Sequence, residues 1–167
     1  GRILAALLAV AAAFAAPLSA QEIPVVERTL PNGMKLLMVE RHDQPTISCG
    51  WLARVGSANE RPGITGLAHL FEHMMFKGSK NVGQNEHPYL IFTNGGTMNG
   101  TTNKDRTNYF QNVPTSALDL ALFMESDRMG HLMGAVGQAK LDEQRGVVQN
   151  EKRQGENQPY GLSYNLL

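Results

Sequence analysis

Residues 69–73 read His-Leu-Phe-Glu-His, and this stretch constrains the chain more than any other. It lies in an otherwise apolar run of Leu67, Leu70, Phe71, Met74, Met75 and Phe76, bounded by Gly66 and Gly78. Such a run reads as a helix that opens at Thr65 or Gly66, reaches about Lys77 and stops at Gly78. Positions four apart share one face of a helix, so His69 and His73 can reach a common ion. Glu72, three residues after His69, points to the same side. Polar groups set in so apolar a helix need partners if they are buried.

Two neutral imidazoles suit Zn²⁺, whose Zn–N bonds are about 2.0–2.1 Å. The order H-x-x-E-H is the inverted form of the H-E-x-x-H zinc helix. A catalytic zinc also needs a third protein ligand and an open position for water, and a carboxylate is expected beside two histidines. The last helix read from the sequence, Lys140 to Gln154 and its continuation, carries Asp142, Glu143, Glu151 and Glu156. Spacing alone does not choose among them.

Around this helix the chain alternates strand pairs and helices. Val25 to Leu30 and Met34 to Glu40 flank Pro31-Asn32-Gly33, a turn signal, and read as a hairpin. Thr46 to Val55 is rich in β-branched and aromatic residues and reads as a third strand. Gly56 to Gly63 reads as a loop. Glu86 to Phe92 reads as a helix with Pro88 in its first turn. Thr97 to Asn103 and Arg106 to Val113 read as two strands joined through Lys104-Asp105. Pro114-Thr115-Ser116 reads as the cap of a helix to Met129, with Leu118, Ala121, Leu122, Met124 and Met129 as its core stripe. This order predicts an α+β fold: a largely antiparallel sheet with helices packed on it and a zinc site between two helices.

The 167 residues suit one domain with a sizeable core. Fifteen basic and 15 acidic side chains give no electrostatic case for a nucleic-acid partner. Ile3 to Ala16 is almost wholly Ala, Leu, Val and Ile behind Arg2, and Pro17 then leads to Leu18-Ser19-Ala20. This reads as the tail of a signal peptide over residues 1–20, cleaved after Ala20, on a secreted or periplasmic protein with no stable membrane anchor. The run falls short of the roughly 20 apolar residues that span a bilayer. The sequence opens on Gly1, so an earlier start is expected. Cys49, the single cysteine, has no internal disulfide partner and reads as a buried inert thiol. His42, His87 and His131 lack ligand spacing, and Arg106 and Arg128 read as structural.

Five stretches resemble the pitrilysin family of inverted-motif zinc peptidases, which includes insulin-degrading enzymes and mitochondrial processing peptidases. They are Leu-Pro-Asn-Gly-Met-Lys (30–35), Gly-Ser-Ala-Asn-Glu (56–60), the run from Gly63 to Gly78, Gly-Gly-Thr-Met-Asn-Gly-Thr-Thr (95–102) and Arg-Gly-Val-Val-Gln-Asn-Glu-Lys-Arg (145–153). The resemblance implies a processing-peptidase-like fold, with Glu151 as third ligand to one Zn²⁺ per chain. It implies that Glu72 is the general base toward the water that the zinc activates. Many relatives carry a further acid seven residues before the third ligand; Gln144 stands there in this chain, able to supply a hydrogen bond. The strand around Asn99 and Gly100 resembles the family's edge strand, which pairs with extended substrate. The implied activity is zinc-dependent endopeptidase action on peptides or unfolded polypeptides, within residues 21–167 as an N-terminal domain expected to continue past Leu167. A second family domain or subunit is the implied partner. The competing readings are a non-catalytic subunit of the same family that binds metal and helps hold peptide, and a metal-binding module without hydrolysis. The intact set His69, Glu72, His73 and Glu151 favours the enzyme.

Overall fold

A computed structural model describes residues 23–165. The proposed signal segment, residues 1–20, lies outside them. The chain divides into two units, one ending at Gln44 and one beginning at Pro45.

Among the described residues the first unit is a hairpin. Strand β1 (Val26–Thr29) pairs antiparallel with β2 (Lys35–Met38), Thr29 facing Lys35. Asn32 Oδ1 accepts from Met34 N–H at 3.0 Å, and Gly33 takes a positive φ of 85°. These are the turn properties that Asn and Gly supply most cheaply.

The second unit carries an antiparallel sheet in the order β3-β5-β4, built from β3 (Thr46–Ala53), β4 (Thr97–Thr102) and β5 (Thr107–Pro114). Central β5 buries alternate residues, Thr107, Tyr109, Gln111 and Val113, as the period of two requires. Helices α1 (Leu67–Met74), α2 (Glu86–Thr93), α3 (Leu118–His131) and α4 (Gln138–Glu156) complete the unit. The α+β architecture with antiparallel pairing is therefore as expected from the sequence. Val82, Ile91, Val113, Ala117, Ala121 and Met124 form the core between β5, α2 and α3. Ile91 and Met124 are fully buried, each contributing about 1.5–3 kcal/mol. Cys49 packs partly buried against this cluster, and burial pushes its thiol up. Among the described residues no helix is long and apolar enough to cross a membrane.

Three expectations need correction. Helix α1 ends at Met74, and its last turn tightens: Phe76 N–H bonds to His73 O and Lys77 N–H to Met74 O. Thr115 and Ser116 do not cap α3; they form a 3₁₀ turn, Thr115–Ala117, that leads into it, and no side chain caps its start. The buried stripe of α3 is also not the expected one. Ala121 and Met124 face inward, but Leu122 and Met129 are exposed, and Glu125 and Arg128 take the inward positions.

Candidate metal centre and catalytic residues

Helix α1 packs against β4 and α4, which sets the site at their junction. Its histidines lie one turn apart, with His69 Nε2 and His73 Nε2 separated by 3.2 Å. Glu151, from the second half of α4, brings Oε2 to 3.3 Å from His69 Nε2 and 3.4 Å from His73 Nε2. Three bonds of about 2.0–2.1 Å to one tetrahedral ion require donor atoms about 3.3 Å apart. The triangle meets that requirement, and its chemistry of two imidazole nitrogens and one carboxylate oxygen suits zinc. Among the described residues these three alone form a cluster of possible ligands. Two of the other acids on α4 are taken up close by: Asp142 by Arg145 at 2.7 Å and Glu143 by Lys77 at 3.6 Å. Glu156 lies 3.7 Å from Lys152.

Gln144 is buried on the α4 face toward α1, its Oε1 3.3 Å from His73 Nδ1. Its amide nitrogen donates to Glu143 Oε1 at 3.2 Å, which turns the acceptor end toward the ring. With Nδ1–H donating to Gln144, the proton is kept off His73 Nε2, the atom in the triangle. Lys140 Nζ, bonded to Lys77 O and Ala135 O at 3.0 Å each, fastens the start of α4 to the turn that follows α1.

Glu72 sits on the same helix but faces β4. Thr102 Oγ1 donates to its Oε2 at 2.5 Å. Gly100 lies under its other oxygen: a Cβ there would be 3.1 Å from Glu72 Oε1 and from Phe76 Cε2. The missing side chain lets the carboxylate and the strand approach this closely. Asn99 is exposed on the same edge strand, and its Oδ1 accepts from Gly100 N–H at 2.9 Å. Thus the structure brings His69, His73, Glu151 and Gln144 together and sets Glu72 over Gly100, while Asn99 meets Gly100 alone.

Beneath Phe76 runs a buried polar network that the sequence reading did not find. Glu125 accepts from Arg128 Nε and Nη2, both at 2.7 Å, from Trp51 Nε1 at 2.6 Å and from Gln111 Nε2 at 3.1 Å. The Arg128 guanidinium lies 4.6 Å from the Tyr109 ring centroid and 5.3 Å from that of Phe76. Burial holds the Tyr109 hydroxyl far above its ordinary range, so it stays protonated. The hydroxyl of Thr102 was also missed. Its signal was the strand period of two, which puts it on the same face as Gly100.

The family model described as Insulinase (Peptidase family M16) matches residues 35–163. Zinc protease PqqE of Helicobacter pylori is 35% identical over 141 residues, covering 81% of this chain and 31% of that protein. An uncharacterized zinc protease of Streptomyces coelicolor is 31% identical over 140 residues, covering 83% of this chain and 30% of its own length. Human insulin-degrading enzyme is 33% identical over 94 residues, 56% of this chain and 9% of the enzyme. The crystal structure of a protease from Helicobacter pylori aligns with a TM-score of 0.80 and 32% identity over 86% of this chain and 34% of that one. The chain thus spans about a third of the length of the first two relatives.

Proposed function

The chain belongs to the insulinase family, peptidase family M16, and from that premise we propose that it is the zinc-binding domain of an endopeptidase acting on peptides or unfolded polypeptides. The observation that carries this reading is the triangle of His69 Nε2, His73 Nε2 and Glu151 Oε2, with Glu72 on the same helix as both histidines. Its relatives' names supply zinc in general terms; one ion per chain on these three residues is our assignment.

Held by His69, His73 and Glu151, Zn²⁺ would supply Lewis acidity toward a peptide carbonyl and make the attacking water more acidic. The chain's own groups do the rest. Glu72 takes a proton from the attacking water on a carboxylate oxygen and delivers it to the leaving amine. Thr102 holds that carboxylate at Oε2, leaving Oε1 for the proton. Gln144 keeps the proton of His73 on Nδ1. Strand β4 is one of the sheet's two edges, and its open side can pair with an extended peptide beside Asn99 and Gly100. Asn99 Oδ1 occupies the Gly100 N–H, so an incoming carbonyl displaces a side chain rather than breaking the sheet.

A second family domain or subunit is part of the proposal, because the relatives extend well beyond the matched region. Export, with a signal segment over residues 1–20, is likewise proposed from the apolar run Ile3 to Ala16. The test is metal analysis of the purified full-length parent. We expect about one zinc per chain, and sharp loss on His69→Ala, His73→Ala or Glu151→Ala. Full zinc in Glu151→Ala, with loss in Glu143→Ala, would reassign the third ligand.

A further inference from the structure

Helix α1 is anchored at its start by a residue well outside it. The first N–H groups of a helix have no partner within it, and Gly66, at the cap, has no side chain to offer. Glu60 fills the gap. Its Oε2 accepts from Gly66 N–H and its Oε1 from Ala68 N–H, both at 2.7 Å. These are short, charge-assisted bonds, and an acid at a helix N-terminus also matches the helix dipole. Ala68 directly precedes His69.

The loop that carries Glu60 is itself fastened to the β4–β5 turn. Ser57 N–H bonds to Asn103 O at 3.1 Å and Ala58 N–H to Lys104 O at 2.7 Å. A Cβ on Gly56 would stand 2.2 Å from Asn103 O, so only glycine permits the two backbones to meet here. One residue before Asn103 is Thr102, the hydroxyl that holds Glu72. A circuit therefore closes: from β4 through Thr102 to Glu72, along α1 to Ala68, through Glu60 to the loop, and back to the same turn. His69 lies between its two fastenings, and Glu72 is one of them. Glu60, half-buried, lines with them an open cleft of about 750 Å³ whose far wall is Thr101 to Asp105.

We propose that Glu60 is a positioning residue: by clamping the start of α1 it fixes the height and rotation of His69 and Glu72 over β4, and so tunes metal affinity and turnover. This rests on the zinc-peptidase reading above. A cap serving stability alone would need no connection to the strand that holds Glu72, and here the same loop makes both.

The experiment uses the full-length parent with Glu60→Ala and Glu60→Gln. Glutamine keeps the volume and one of the two acceptors, so it serves if the alanine variant folds poorly. Zn²⁺ affinity is measured by chelator competition well below the unfolding temperature, on samples with matching circular dichroism. Peptide turnover is measured at matched zinc occupancy. We expect affinity to fall about tenfold in Glu60→Ala and less in Glu60→Gln, the low end of the loss when a direct partner of a metal ligand is removed, because Glu60 acts through the backbone one residue before His69. We expect kcat to fall while KM stays within about twofold, as for an interaction realised in the transition state. Affinity and kcat both within about twofold of wild type in either well-folded variant would overturn the positioning role. A wild-type parent that holds no zinc and cleaves no peptide would instead overturn the zinc-peptidase reading, and this inference with it.

Discussion

The hydroxyl of Thr102 donates to Glu72 Oε2 across 2.5 Å, joining the sheet's edge strand to the helix that carries both histidines. A free glutamate side chain samples many rotamers, and this bond selects one. A hydrogen bond to a charged group contributes about 1.5–3 kcal/mol net. Without it the carboxylate leaves the geometry needed for proton transfer, so Thr102→Val in the full-length parent should lose about tenfold or more in kcat, with zinc content unchanged. Thr102→Ser keeps the hydroxyl and should recover most of the loss. Steady-state kinetics on an unfolded peptide, beside metal analysis, checks both.

Gln144 should matter to metal through His73 alone. Gln144→Leu removes the acceptor at 3.3 Å from Nδ1 and frees the ring to change tautomer. Zinc affinity should weaken by about 10–100-fold. Chelator competition measures it, and the folding midpoint of the metal-free protein serves as the control.

Acid should weaken the fold through His87. Its ring is buried on α2, and burial, helped by the charge of Arg128, pushes its pKa down to about 4. Glu125 Oε1 is 4.0 Å from Nε2, too far for a hydrogen bond, and that carboxylate is already engaged by Arg128, Trp51 and Gln111. An unfolded histidine titrates near 6.5, so between pH 6.5 and 4 the unfolded state binds the extra proton. The contribution is complete above pH 6.5 and is lost as pH falls, by about 1.4 kcal/mol per unit. Urea unfolding of the metal-free protein should therefore show a loss of about 2 kcal/mol between pH 6.5 and 5 that His87→Leu lacks.

The pair Glu125–Arg128 should be costly to break from one side. Arg128→Met leaves a buried carboxylate without its cation and should destabilise the domain by about 3–5 kcal/mol. The double variant Glu125→Leu, Arg128→Met removes both charges and should recover a substantial part. Urea unfolding at neutral pH distinguishes the two.

Local chemistry was legible in the sequence, and long-range pairing was not. The turn at Asn32-Gly33 and the i, i+4 spacing of His69 and His73 are set by neighbours a few residues away, and both led to the observed elements. Glu151 could not be told from Asp142, Glu143 or Glu156 by spacing, because its nearness to the histidines depends on how α4 lies on α1. Helix α3 shows the limit most clearly. An apolar stripe pointed to Leu122 and Met129, yet Glu125 and Arg128 occupy the buried face, where Trp51 and Gln111 donate to Glu125 and two aromatic rings from other elements lie against Arg128. Nothing adjacent in the sequence announces those partners. Glu60 lay in a stretch read only as a loop, because its partners begin six residues on, at the start of a helix.

The central claim is that Glu72 is the base beside a zinc held by His69, His73 and Glu151, and Glu72→Gln in the full-length parent tests it most directly. The substitution keeps the shape of the side chain and leaves all three proposed ligands in place. Zinc content and peptide turnover are measured on the same preparation. The account predicts about one zinc per chain, as in wild type, with turnover reduced at least about 10²-fold, the low end for general-base catalysis. Full zinc with turnover comparable to wild type would contradict it.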